Sequence, residues 1–453
     1  MLRPRLAVAL ATPLLIFGVL TQPQRFVLIS NDAAIDGYGL RCLTHAAGPT
    51  HAFVDDEAYI AADPRDATKL IAVWQTHGSH GSAIQWSRST DSGKTWTKPH
   101  TAAINACAGG PVPDAERASD PWVEFGPNHR VYASAIAWTP NPGGGPDLVS
   151  ALVVAASGDA GRSWERPRAI AIASSKTIAF DNLAITADPV RNEWVYVATT
   201  HGEWPTPRTY FGQLGFARSK DGGRSWEPLR LITPRVNRER IGAPQIKVDP
   251  RSGRLYAVYT RRNSTGMVIG VMTSDNGGDD WSPEHIAAQI RQAPPTHLPT
   301  DSNAFVFADD IVHAVVLPKS GRVAIAFTEA RPGIAPLRRV SVTWSADGAR
   351  WAEPIPVSAD SSVTAWLPQI AASPSDEVAI TYLEADFAAR TQAETTMRLQ
   401  RTPLQMTEHG LVAGSSSELD SMPLSWPGDY QGLVSTGRGF VSVYGRAADI
   451  AAR

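Results

Sequence analysis

Ser89-Thr90-Asp91-Ser92-Gly93-Lys94-Thr95-Trp96 is the stretch that decides the fold, because it recurs. It returns as Ser157-Gly158-Asp159-Ala160-Gly161-Arg162-Ser163-Trp164 and as Ser219-Lys220-Asp221-Gly222-Gly223-Arg224-Ser225-Trp226. Ser274-Asp275-Asn276-Gly277-Gly278-Asp279-Asp280-Trp281 carries Asn in place of Asp, and Ser345-Ala346-Asp347-Gly348-Ala349-Arg350-Trp351 is one residue shorter. The shared pattern is Ser-x-Asp-x-Gly-x-Thr/Ser-Trp. An Asp in this position accepts hydrogen bonds from backbone N–H groups a few residues on and closes a turn. The Gly tolerates positive φ. The Trp contributes a large apolar face and one N–H donor. An apolar strand precedes every copy, so each is predicted to be a hairpin turn joining two strands.

A second repeat runs beneath the first. Apolar segments end in Asp-Pro or a close variant at Pro64, Pro127, Pro189, Pro250, Pro318 and Pro374, spaced 63, 62, 61, 68 and 56 residues apart by subtraction. Gly432-Leu433-Val434-Ser435 makes a seventh start without the proline. Each start is followed by a second strand, such as Leu70-Ile71-Ala72-Val73-Trp74 or Leu255-Tyr256-Ala257-Val258-Tyr259, then by one that enters the turn and one that leaves it at the Trp. Four antiparallel strands per repeat is the signature of a propeller blade. One blade leaves two sheet faces bare, so the blades must close into a ring. The sequence predicts an all-β chain folded as a single β-propeller of four-stranded blades. Seven starts favour seven blades, with six as the alternative. The C-terminus offers two strands for the last blade, so the N-terminal segment must close it, and Phe26-Val27-Leu28-Ile29-Ser30 is the candidate.

Composition fits this reading. Hydrophobic residues are 43% and charged ones 19% of 453 residues, enough to bury a core. Net charge is −2, with no basic field to hold nucleic acid. Arg3 and Arg5 precede an apolar run, Leu6 to Leu20, short for a membrane span and of the length of a signal-peptide core. Residues 1–24 are therefore expected to be an export signal or an N-terminal anchor, and 25–453 the propeller, in a secreted, periplasmic or cell-surface protein. A membrane is expected to be met only through that anchor. Cys42 and Cys107 either form one disulfide or remain two buried thiols.

The recurring turn resembles the Asp-box, or BNR, repeat of sialidase-type β-propellers, and the resemblance spans about Asp55 to Arg446. It implies that the boxes lie at the rim, away from the site. The opposite face is built from the loops leading into each innermost strand and those joining second to third strands. The first set carries Asp55, Asp56, Glu57, Asp120, Asp181, Asp309, Asp310, Asp429 and Tyr430. The second carries His77, His80, Trp138, His201, Glu203, Trp204, Arg261, Arg262, Glu329, Arg331, Glu384 and Asp386. Aromatic rings beside carboxylates suit a sugar, so the expected ligand is a glycan or glycoprotein, handled by an exo-glycosidase of sialidase type. The alternative is a non-catalytic propeller that binds a glycan or a protein partner. No cofactor or metal is expected.

By the resemblance, Tyr430 is the candidate nucleophile and Glu329 or Glu384 the group that activates it. Asp120 or Asp56 is the acid/base. Arg261 or Arg262, with Arg331, would clamp a substrate carboxylate. Trp138, His201 and Trp204 complete the candidate binding surface. The chain departs from the family pattern ahead of the first blade. The Phe/Tyr-Arg-Ile-Pro motif that would bring the first clamp arginine is missing, and His51-Ala52-Phe53-Val54 stands there instead.

Overall fold

The computed structural model describes residues 27–30, 42–43, 54–78, 81–206, 208–293, 297–298, 301–305, 310–333, 337–358, 360–386, 396–407, 410–423, 428–446 and 449–452. The remaining ones, His80, Asp309 and residues 1–24 among them, lie outside the description. Strands dominate, and they fall into successive antiparallel sheets.

Blade 1 comprises Val54–Asp63, Asp66–His77, Ser82–Ser89 and His100–Thr101. Blade 2 comprises Arg117–Phe125, Val131–Thr139, Val149–Ser157 and Arg168–Ala173. Blade 3 is Ile178–Ala187, Val195–Thr206, Thr209–Ser219 and Arg230–Leu231. Blade 4 is Arg240–Val248, Leu255–Asn263, Gly266–Ser274 and His285–Ile290. Blade 5 is Val312–Val316, Val323–Ala330, Arg338–Ser345 and Ile355–Pro356. Blade 6 is five-stranded: Thr364–Ala372, Glu377–Ala385 and Thr396–Thr407, the last pairing with both Gly410–Ala413 and Ser417–Pro423.

Blade 7 runs Gly432–Ser435, Phe440–Arg446, Asp449–Ala452 and then Val27–Leu28. The C-terminus thus gives three strands rather than the expected two, and the N-terminal segment adds the outermost one, Val27 opposite Ala452. Each innermost strand packs on the next, and that of blade 7 returns to blade 1, which closes a ring of seven sheets. A short hairpin, His297–Leu298 with Asp301–Phe305, is the one further pair among the described residues.

Hydrophobic clusters fill the spaces between blades, and each box turn reaches across one of them. Ser157 Oγ donates to Asp159 Oδ1 at 2.8 Å and accepts from Gly161 N at 2.9 Å, while Asp159 accepts from both the backbone and the hydroxyl of Ser163. The boxes at Ser89, Ser219 and Ser274 repeat this pattern, with Asn276 serving as acceptor in the last. The pattern glycines Gly93, Gly161, Gly223, Gly278 and Gly348 have φ between 76° and 91°. They also lie against the preceding blade. A Cβ on Gly278 would sit 2.5 Å from the Phe216 ring, and one on Gly348 2.7 Å from Tyr256. Arginines answer from that blade: Arg130 Nε donates to Gly222 O at 2.9 Å, and Arg218 Nη1 to Gly277 O at 2.7 Å. The box is therefore an inter-blade clamp as well as a hairpin turn.

Cys42 and Cys107 form a disulfide, Cα–Cα 5.4 Å, which settles the alternative left open by the sequence.

Candidate active site

The innermost strands of blades 1, 2, 3, 4 and 6 share one irregularity near their start. Pairing skips between Asp56 and Tyr59, Ser119 and Trp122, Asp181 and Ala184, Gly242 and Gln245, and Trp366 and Gln369. Within each skip one residue takes positive φ: Glu57 50°, Asp120 54°, Asn182 49°, Ala243 44°, Leu367 55°. Bulges of this kind re-aim side chains, and left-handed backbone at non-glycine residues carries strain that the surrounding fold must hold. The bulges of blades 1 to 3 and the entry loops of blades 5 and 7 gather carboxylates at the ring mouth. Asp56 and Glu57 come from blade 1, Asp120 from blade 2, Asp181 from blade 3, Asp310 from the approach to blade 5 and Asp429 from the approach to blade 7.

These groups act on one another. Asp120 N donates to Glu57 Oε2 at 3.2 Å. Burial pushes the Glu57 carboxyl well up, and the charges of Asp120, Asp56 and Asp429 push the same way. Burial also raises Asp120, with the charge of Asp56 adding to it against hydrogen bonds from Ser119 and Asn182. Enclosure raises Asp181 to about 7, helped by Asp120, Asp310 and Asp147. Asp429 is carried to about 8 by enclosure and then by Asp120, Asp181, Asp310 and Asp56. Asp181 and Asp310 are nevertheless exposed to solvent in the mouth. That water screens the charges of their neighbours. Asp56 Oδ2 pairs with His77 Nε2 at 3.2 Å, while its buried Oδ1 has no partner among the described residues. Asp55 is excluded from this chemistry because its carboxylate binds the hydroxyls of Ser30 and Thr76.

Tyr430 lies directly beneath this crown, 5% exposed. Its hydroxyl donates to Pro121 O at 2.9 Å. Its ring joins Tyr59, Trp122 and His313 in an aromatic plug, with Tyr59 and Trp122 stacked at 3.7 Å and Trp122 and His313 at 5.8 Å between centroids. Burial raises the phenol well above its usual range, and the charges that add to this come from Glu57, Asp120, Asp429 and Asp56. The structure thus brings Tyr430, Asp56 and Asp120 together.

It does not bring the other candidates to them. Glu329 is held by Arg339, at 2.9 and 2.7 Å, and by the Ser341 hydroxyl at 2.7 Å. Glu384 is buried, and the charges acting on it are those of Arg398, Asp360 and Arg331. Arg331 donates to Asp360 O. Arg261 forms a two-pronged pair with Glu284, at 3.0 and 2.7 Å, and reaches Glu239 at 3.3 Å. Its strand neighbour Arg262 is exposed. The three arginines are therefore dispersed over blades 4 and 5, and Arg261 and Arg331 are engaged elsewhere.

The aromatic candidates flank the crown on two sides. Trp138 carries Arg117 over its ring at 5.3 Å, and Arg117 in turn weighs on His77. On the blade 3 side His201 leans on Phe180, and Trp204 meets Tyr210 at 4.7 Å between centroids. Tyr210 was not singled out in the sequence, although the charge of Asp181 reaches it. Glu124 and Lys247, which face the channel below the plug, were also passed over. Their readable signal is a charged residue two places after Trp122 and Gln245, where the other repeats carry Ala61, Thr186, Val315, Ala371 and Leu433.

Comparison with known proteins shows the fold alone. No protein-family model matches the chain. No curated protein matches it either. Among solved structures it is similar to a Dyadobacter fermentans protein of unknown function, with TM-score 0.51 and 14% identity over 74% of this chain and 91% of that one. It is also similar to the Hadza microbial sialidase Hz136, with TM-score 0.47 and 17% identity over 73% and 63%. An α-L-arabinofuranosidase of Fusarium graminearum solved with arabinobiose gives TM-score 0.47 and 14% identity over 81% and 95%.

Proposed function

We propose that this propeller is a glycoside hydrolase acting on a neutral glycan at its carboxylate crown. The observation that carries the reading is the crowding of Asp56, Glu57, Asp120, Asp181 and Asp429 at one mouth, which pushes the last four up beside an Asp56 that faces His77. Glycosidic cleavage needs that division: an acid to protonate the leaving oxygen, and a carboxylate to meet the oxocarbenium-like centre or the water that attacks it. Asp429, which enclosure and the neighbouring carboxylates raise to about 8, is the acid. Asp56, oriented by His77 and with one oxygen unpartnered among the described residues, is the carboxylate. Tyr430 is the floor rather than the nucleophile, because its hydroxyl is committed to Pro121.

The same charge argues for a neutral substrate. A ring of carboxylates repels an acidic sugar, and beside burial the leading influences on Tyr430 are the carboxylates Glu57, Asp120, Asp429 and Asp56. Export directed by residues 1–24, supported by the apolar run Leu6 to Leu20, would place the activity outside the cell or at its surface.

A chromogenic panel of neutral pentosides and hexosides, with a sialoside alongside, tests the reading. At least one neutral glycoside is cleaved and the sialoside is not. Asp429→Asn and Asp56→Asn each lower kcat by about 10²-fold or more, while Tyr430→Phe leaves it within a few-fold. Activity falls as pH rises through 7 to 8, where Asp429 loses its proton. Cleavage that survives both Asp substitutions would remove these roles.

A further inference from the structure

Below the aromatic plug the channel opens toward the face that carries the boxes, into a cavity of about 540 Å³. Pro64, Pro127, Pro189, Pro250, Pro318 and Pro374 form its rim, and Arg65 stands exposed there. The inner wall is apolar, with Ala61, Val315, Ala371 and Leu433. Glu124 from blade 2, Thr186 from blade 3 and Lys247 from blade 4 break that wall. The ammonium of Lys247 lies 5.7 Å from the centre of the Trp122 ring and has no ion-pair partner among the described residues. Lys247 is half-buried. Burial pushes its ammonium down, and the charge of Glu124 opposes that. The other ionisable groups around it supply no anion. His313 is pushed down to about 3 by burial and by Lys247 itself, so it is neutral. Tyr59 is pushed well up by burial. Asp63 is already bound by His129 and by Arg65 N.

We propose that this lower cavity is a second ligand site, for a small carboxylic acid with an apolar body, whose carboxylate is held between Lys247 and Glu124. Lys247 gives a charge-assisted hydrogen bond to one oxygen. Glu124 in its acid form gives a hydrogen bond to the other. The ligand body fills the apolar wall beneath Trp122 and Tyr59. The volume is within the range of small-molecule sites. Burial raises the Glu124 carboxyl to about 7 against the opposing pull of Lys247, so it retains a proton near neutrality. Binding therefore weakens as pH rises through 7, where a second carboxylate forms and repels the ligand. The site is on the opposite face from the crown and stands apart from the proposed hydrolysis.

The probe is benzoate, with benzamide as the uncharged control. The chain has seven lysines. Reductive methylation with formaldehyde and cyanoborohydride, read by peptide mass spectrometry on the unaltered protein, is expected to show benzoate protecting Lys247 and none of the other six. Calorimetric titration should show one benzoate per chain and no benzamide binding. Lys247→Met should raise the benzoate Kd at least tenfold. Glu124→Gln should retain binding and lose its pH dependence between 6 and 8. Equal methylation of Lys247 with and without benzoate, or benzoate binding by a folded Lys247→Met protein as tight as by the original, would overturn the proposal.

Discussion

At the scale of the residue, the box shows how one short polar motif does two jobs. Gly278 supplies φ of 91° and also leaves room for the Phe216 ring of the preceding blade. Gly278→Ala meets both obstacles, and we expect it to destabilise the fold by about 1–3 kcal/mol, read from denaturant midpoints. The box carboxylates predict an acid response. For Asp159 and Asp221 slight burial favours protonation. Hydrogen bonds from the Ser163 and Ser225 side chains and backbones outweigh it and hold both at about 2. Both lie below the ordinary carboxylate range near 3.8, so their contribution is complete above about pH 4 and is lost as pH falls through 2. Asp159→Asn with Asp221→Asn should flatten stability between pH 4 and 2. Asn276 shows that an amide fits the position. At the crown, a Cβ on Gly428 would collide with the backbone N of Glu57. Gly428→Ala should therefore lower activity well before it unfolds the protein, which paired kinetics and thermal melts would separate.

At the scale of the element, the strands were plain in the sequence because their period and turn chemistry agree. Leu70 to Trp74 and Leu255 to Tyr259 alternate into clusters on both faces, and the boxes mark where the third strands of blades 1 to 5 end. The third strand of the last blade, Asp449–Ala452, was missed because no box or proline announces it. The bulges were not anticipated, although Pro121, Pro244 and Pro368 stand inside three of the skipped pairs, where a regular central strand would not carry proline. Most acidic candidates fell on the correct face for a topological reason, as loops preceding innermost strands share one end of the ring. The grouping of Glu329 and Arg261 with Tyr430 failed because a loop's end of the barrel does not say how far from the axis a side chain lies. Both sit farther out, paired with Arg339 and with Glu284. The closing strand tests the element directly. Leu28→Pro removes a backbone donor where Leu28 pairs with Ala451. It should open blade 7 and speed amide exchange across 440–446 while blades 2 to 4 remain protected.

For the whole molecule, the ring has to close before any one blade is secure. The Cys42–Cys107 bond reinforces this closure by linking the segment after the first strand to the approach to blade 2, across a sequence separation of 65. In the chain-entropy account such a loop is worth about 4 kcal/mol. Cys42→Ser with Cys107→Ser should lower the thermal midpoint by a few degrees while leaving hydrolysis at the crown unchanged at 25 °C. The plug of Tyr59, Trp122, His313 and Tyr430 divides the central channel, so the crown and the lower cavity face different sides of the molecule. The pairing of Val27 with Ala452 has a separate consequence. The first and last described strands meet side by side, so a short peptide tether can join Val27 to Ala452. The gene can then be reopened at the exposed Gly144-Gly145 hairpin of blade 2, where a Cβ would meet nothing. Such a circular permutant would move the seam of the wheel without altering its hub.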